Sequence, residues 1–275
     1  MPHEDIIRSY PTKYQTFFML KEIIISIQAY FEAHRFIVKN RLWKWILIPG
    51  IIYSILFVMG ISFFWTSSNE AIEWMLLQLG VKSWLEQMQD GWLSFFFIIG
   101  QIILKFVLLL FYFSLFKFTF LIIGSPAFAY LSEKTESILT GKQFSFNFNQ
   151  FMIDIIRAIK IASRNIIWQT VYLISLLILS FIPLIGWVAP LFILFVDCYY
   201  VGFSMLDYSS ERNKLKTIES IELIGHHRGL AIGNGIVFYS LHAIPIIGWV
   251  FAPAYAVIAA TISLHRAKEN NIINH

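Results

Sequence analysis

The sequence predicts an all-α integral membrane protein with two long transmembrane helices and two helical hairpins, each hairpin turned by proline and glycine. Three observations carry this. The 275-residue chain is 57% hydrophobic, 17% aromatic and only 14% charged, which excludes a water-soluble domain. Eighteen of its twenty-one Lys and Arg residues fall in alternate segments of the chain. A ten-residue phrase also occurs twice, as Phe181-Ile-Pro-Leu-Ile-Gly-Trp-Val-Ala-Pro190 and, with Phe251 inserted, as Ala243-Ile-Pro-Ile-Ile-Gly-Trp-Val-Phe-Ala-Pro253. That internal repeat has a period of about sixty residues.

Residues 1–275 read as a single membrane domain whose first element is an amphipathic helix over 13–39. There Phe17, Leu20, Ile24, Ile27 and Phe31 recur at three- and four-residue steps, with Lys21, Gln28, Glu32 and Arg35 on the other side. Such a helix either lies on the membrane surface or caps the bundle from the cytoplasm. The first transmembrane helix spans 43–65, with tryptophan at both ends as interfacial anchors. The second spans 92–123, longer than a bilayer requires, so it tilts or projects. Ser125-Pro126 then starts a new helix that Gly141 stops. Phe148, Phe151, Ile155 and Ile159 form the next apolar stripe, with Arg157, Lys160 and Arg164 on another face.

The two hairpins cover 165–206 and 229–264. In each, proline removes a backbone donor and glycine three positions later permits a reversal, so Pro183 with Gly186, and Pro245 with Gly248, mark the turns. Several arms are sixteen to eighteen residues long, at or below the roughly 20 needed to cross a hydrocarbon core. The hairpins therefore either enter the bilayer partly or are ordinary transmembrane pairs. Asp207 to Glu222 is polar and charge-balanced, a cytoplasmic connection. Gly225, Gly229 and Gly233 at four-residue spacing offer a flat face for close helix packing.

Eighteen of the twenty-one Lys and Arg residues lie in segments that this topology places on one side, so both termini face the cytoplasm. The N-terminus lacks the pattern of a cleaved signal peptide. Lys105 and Lys117 fall within the second transmembrane helix, where an unpaired ammonium is costly. Lys117 reaches the interface; Lys105 lines a polar path or pairs with Asp197, unless Lys105 and Asp197 each reach the interface separately. The single cysteine, Cys198, excludes an intrachain disulfide. No catalytic constellation, metal-ligand spacing, phosphate-binding loop or dinucleotide fingerprint is present, so neither an enzyme nor a cofactor is expected, and nucleic acid is no partner.

The junction Lys39-Asn-Arg-Leu-Trp-Lys44 brings basic side chains to the start of the first transmembrane helix. Free backbone N–H groups there, with Arg41, Leu42 and Lys44, make a candidate anion site; lipid phosphates are the other ligand such a cluster meets. From about Tyr30 to His265 the chain resembles the CysZ sulfate permease family, within the wider etoposide-induced-protein group. The residues that carry the resemblance are the basic junction running into Ile-Leu-Ile-Pro49; Pro126, Phe128, Glu133, Glu136, Leu139, Thr140 and Gly141; the first Pro-Gly turn followed by Asp207-Tyr208; and the second turn followed by Ala259-Ala260-Thr261.

The resemblance implies two long membrane helices, two partly penetrating hairpins, homo-oligomeric assembly in the bacterial inner membrane, and sulfate uptake. The family's Gly-Leu-Arg-Arg-like sulfate-binding run corresponds to Arg41-Leu42-Trp43-Lys44 here. Arginine holds an oxyanion with two parallel hydrogen bonds, whereas lysine supplies a point charge. The leading expectation is a permease or channel for a small inorganic anion, sulfate by resemblance. The rival is a non-transporting membrane scaffold that binds a protein partner or shapes the bilayer.

Overall fold

The computed structural model describes residues 12–78, 118, 121–141, 148–180, 185–212 and 215–269, and all regular structure among them is helical. The helices are α1 (Thr12–Asn40), α2 (Trp43–Gln78), α3 (residues 121–140), α4 (Phe148–Ser180), α5 (Ile185–Arg212), α6 (Thr217–His226), α7 (Arg228–His242) and α8 (Ile247–Glu269). Among the described residues, three stretches are long and apolar enough to cross a membrane: Trp43–Glu70, Leu191–Ser210 and Ile247–Glu269. The chain divides into two compact units, one of Met1–Ser54 with Phe120–His275 and one of Ile55–Thr119.

Within the smaller unit the described chain is chiefly the second half of α2. This helix runs past the predicted end at Trp65 to Gln78, so residues 66–78, which lie between the two predicted transmembrane helices, are helical. No Gly or Pro interrupts residues 61–78, and the Thr66 hydroxyl bonds within the helix, donating back to Phe63 O at 2.9 Å.

The larger unit is held together by glycines. A Cβ on Gly202 of α5 would lie 1.8 Å from Ala231 O of α7, and one on Gly235 of α7 would lie 2.0 Å from Cys198 O of α5. The two backbones thus touch at two levels, an approach that no other residue permits. On another side of α7, Gly229 and Gly233 meet Met19 and Ile23 of α1 in the same way, at 2.4 and 2.8 Å. Gly225, expected on that face, has nothing within 4 Å of its Cβ position, because the chain breaks between α6 and α7 at His227. Helix α8 packs on α1, α5 and α7 through alanines, with Ala252, Ala256, Ala259 and Ala260 fully buried.

Two helices continue past boundaries that the sequence set, at the start of the first hairpin and at Ser125-Pro126. Helix α4 is unbroken across Asn165, whose side-chain amide donates to Ser204 Oγ of α5 at 3.2 Å. Helix α3 passes through Pro126 instead of starting beside it. The carbonyl that a residue-126 N–H would reach is Ile122 O, and the Ser125 hydroxyl donates to it at 2.8 Å. At its end Gly141 takes φ +70°, as a helix stop requires.

In α1 the apolar stripe is not the face that packs inward. Leu20, Ile24 and Phe31 are exposed, while Glu22, Ser26, Ala29, Tyr30, Ala33 and Ile37 are buried against α7 and α8. Small and polar residues allow the close approach that the glycines of α7 complete.

Candidate anion site

The site begins with how α1 stops. The Leu42 N–H donates to Ile37 O at 3.1 Å and the Arg41 N–H to Val38 O at 3.4 Å, the two reversed bonds of a Schellman cap. Ile37 and Leu42 are both buried, giving the apolar contact that accompanies such a cap. This cap requires a left-handed residue, and Arg41 supplies it with φ +54°. Glycine adopts that conformation freely; a residue with a Cβ does so at a cost of about 1–2 kcal/mol. The Arg41 side chain projects into the exposed surface from this strained position.

Helix α2 then starts at Trp43. Its first N–H groups have no acceptor within the helix, and the Trp45 N–H already turns back to Leu42 O at 3.0 Å. The amides of Trp43 and Lys44 therefore stand at the open, electropositive end of α2, flanked by the exposed side chains of Arg41 and Lys44. Trp43 does not join them. Its ring meets His34 edge-on at 6.3 Å and Phe251 edge-on at 6.1 Å, and His34 Nδ1 is 2.8 Å from the Tyr255 hydroxyl. Phe251, the residue inserted in the second copy of the repeat, is thus one wall of the nest that holds Trp43. The arrangement can hold an oxyanion through two cations and helix-terminal amides; Leu42 supports it from the core.

The remaining predicted residues are dispersed. Lys105 lies outside the described residues, so its pairing with Asp197 does too. Asp197 accepts a hydrogen bond from the Gln169 amide of α4. Pro183 also lies outside the described residues, and Gly186 falls in the first turn of α5. The second turn is described in full. Gly248 N–H donates to Ile244 O at 2.9 Å, Ile247 N–H to Pro245 O at 2.7 Å, and the Trp249 indole N–H to His242 O at 3.1 Å. A Cβ on Gly248 would lie 1.8 Å from Leu241 O, which is why the repeat holds glycine there. The turn presents Ile244, Pro245, Ile246 and Ile247 outward, with Ile246 at φ +63°. Beside it the Tyr53 hydroxyl of α2 meets His242 Nε2 at 3.2 Å, and a Cβ on Gly50 would strike Val250 O at 2.1 Å.

Three buried polar groups have no signature in the sequence, because their partners are distant along the chain. Glu22 of α1 accepts from His227 Nδ1 at 2.6 Å and from the Gly229 N–H at 3.0 Å, capping the N-terminus of α7. Arg157 of α4 pairs with Asp207 of α5 at 2.9 Å and also donates to Leu215 O, while the Ser220 hydroxyl of α6 donates to the same Asp207 oxygen at 2.5 Å. Ser132, Ser209 and Thr261 join α3, α5 and α8, with Ser209 and Thr261 2.7 Å apart. Asp207 and Thr261, noted above only as parts of motifs, are therefore helix-packing groups. The buried Tyr30 hydroxyl donates to Asn234 O at 2.9 Å, and burial holds that phenol well above its usual pKa, hence neutral.

A model of the family described as "Sulfate transporter CysZ/Etoposide-induced protein 2.4" matches residues 29–253, a stretch that includes the α1–α2 junction and both turns. Among curated relatives, the sulfate transporter CysZ of Pseudomonas aeruginosa (strain LESB58) is 27% identical over 235 residues, covering 84% of this chain and 90% of the relative. That of Pseudomonas syringae pv. tomato (strain DC3000) is 27% identical over 223 residues, covering 80% and 87%. That of Pseudomonas fluorescens (strain Pf0-1) is 29% identical over 177 residues, covering 62% and 69%.

Proposed function

The chain belongs to the sulfate transporter CysZ/etoposide-induced protein 2.4 family, and on that premise we propose that it is a permease or channel for a small oxyanion, sulfate, in the bacterial inner membrane. The observation that carries the proposal is the start of α2, where Arg41 and Lys44 are both exposed beside the unpaired amides of a membrane-crossing helix. Helix-terminal N–H groups with adjacent cations bind sulfate-like anions without further machinery. Arg41 and Lys44 are the binding cations; Leu42 is a positioning residue that anchors the cap.

In this reading the termini are cytoplasmic, the protein works as a homo-oligomer, and the hairpins stop within the bilayer. Helix α7 has 15 residues, about 22 Å at 1.5 Å each, against a core of about 30 Å. Its turn lies beside Tyr53, ten residues or about 15 Å along α2 from Trp43. The exposed side chains of the turn are apolar and its N–H groups are largely bonded within it, as hydrocarbon surroundings demand.

One feature favours the scaffold reading: position 43 offers an indole committed to the His34–Phe251 nest instead of a cation. Radiolabelled sulfate uptake into proteoliposomes decides between the two. The expected result is saturable uptake above empty vesicles, lost in Arg41→Ala/Lys44→Ala. Uptake retained in the double variant removes the site but keeps the permease. No uptake from protein shown to be folded and inserted removes the permease.

A further inference from the structure

We propose that the outward face of α1 is a docking surface for anionic phospholipid, so that the helix sits in the headgroup layer with its apolar stripe in lipid. This does not depend on the anion carried. Leu20, Ile24, Phe31 and Val38 are all exposed, Phe31 by 70%, and at 100° per residue they fall within about 40° of one another around the helix. The opposite face is already occupied: Glu22 is bound to His227 and Gly229, Tyr30 to Asn234, and Ala29, Ala33 and Ile37 are buried. No rotation of α1 could hide the stripe without breaking those contacts.

Charge identifies the occupant. Lys21, Arg35 and Lys39 are exposed along one flank of the stripe, about 60–100° from Leu20, and the row continues at the junction into Arg41 and Lys44. Between residues 18 and 44 the acids are Glu22 and Glu32. Glu22 is buried, and Glu32 is paired with Arg266 of α8. Among the described residues of α1, the outward face is therefore cationic with no compensating carboxylate. An apolar stripe flanked by lysine and arginine fits a layer of acyl chains topped by phosphates. A zwitterionic surface or a second copy of the same cationic face lacks that complementarity.

The test uses the full chain on a Cys198→Ala background, carrying a nitroxide label at Ile24→Cys or Phe31→Cys. It is reconstituted in phosphatidylcholine vesicles with or without phosphatidylglycerol. The expected result is that both labels are accessible to oxygen and shielded from aqueous nickel in the phosphatidylglycerol vesicles. That shielding should fall in phosphatidylcholine alone and in Lys21→Glu/Arg35→Glu/Lys39→Glu. Equal shielding in both lipids overturns the anionic preference. Access to nickel in both places the face in water, and inaccessibility to both quenchers with spin–spin broadening places a second copy on it; either overturns the proposal. A label-free measurement stands beside it: phosphatidylglycerol added to detergent should raise the unfolding temperature of the native chain more than phosphatidylcholine does. The charge-reversed variant should lose that difference, and equal shifts for the native chain refute the inference.

Discussion

Replacing Arg41 by glycine and by alanine separates the two things that residue does. Both variants remove the same charge. Alanine keeps the left-handed strain of φ +54°, about 1–2 kcal/mol, whereas glycine relieves it and forfeits about 0.5–1 kcal/mol through the greater freedom of its unfolded chain. At the midpoints of these ranges the difference favours Arg41→Gly by about 0.75 kcal/mol, within about 0–1.5 kcal/mol. For a chain of this size about 1 kcal/mol moves the unfolding temperature by roughly 2–4 °C, so the glycine variant should melt about 1–4 °C above the alanine variant in the same detergent. Arg41→Ala should melt close to the native chain, since both carry a Cβ at that position and the native side chain is exposed. Sulfate uptake should fall to the same extent in both variants, because the lost cation is common to them. Paired thermal unfolding and uptake curves read the two effects. If glycine melts below alanine, the cap geometry argued for the α1–α2 junction is wrong; if uptake recovers in the glycine variant alone, backbone shape and not the Arg41 charge governs the site.

Gly202→Ala should cost more than about 3 kcal/mol and impair assembly, since its methyl would sit 1.8 Å from Ala231 O, while Gly225→Ala, with open space around it, should stabilise by about 0.5–1 kcal/mol; unfolding midpoints compare them. Arg157→Met should cost about 3–5 kcal/mol by leaving Asp207 buried without its cation, and Arg157→Met/Asp207→Leu should recover much of that loss, which a double-mutant cycle measures. Glu22→Ala removes the acceptor of both His227 and the Gly229 N–H. It should cost about 2–4 kcal/mol and raise amide exchange selectively in α1 and the first turn of α7, as hydrogen-exchange mass spectrometry would report.

Much was legible from the residues alone, because its causes are local or cumulative along the chain. Composition identified a membrane protein, apolar runs and their period marked helices, Gly141 marked a stop, and the repeated Pro-Gly phrase marked a turn that the structure builds at Pro245 and Gly248. Other features needed the fold. The Ser125 hydroxyl takes up the carbonyl that Pro126 leaves without a donor, so α3 passes through Pro126, and α2 runs beyond Trp65 through residues that include no Gly or Pro. The turning of Trp43 onto His34 and Phe251 depends on where α8 lies, and the Arg157–Asp207 and Glu22–His227 pairs join residues 50 and 205 apart in sequence. Periodicity announced an amphipathic α1, yet only packing decided that its small and polar face turns inward while Leu20, Ile24 and Phe31 face out. In water an apolar stripe would be driven into the core; beside a bilayer the lipid is as apolar as the protein, so close approach and hydrogen bonding choose the buried face instead.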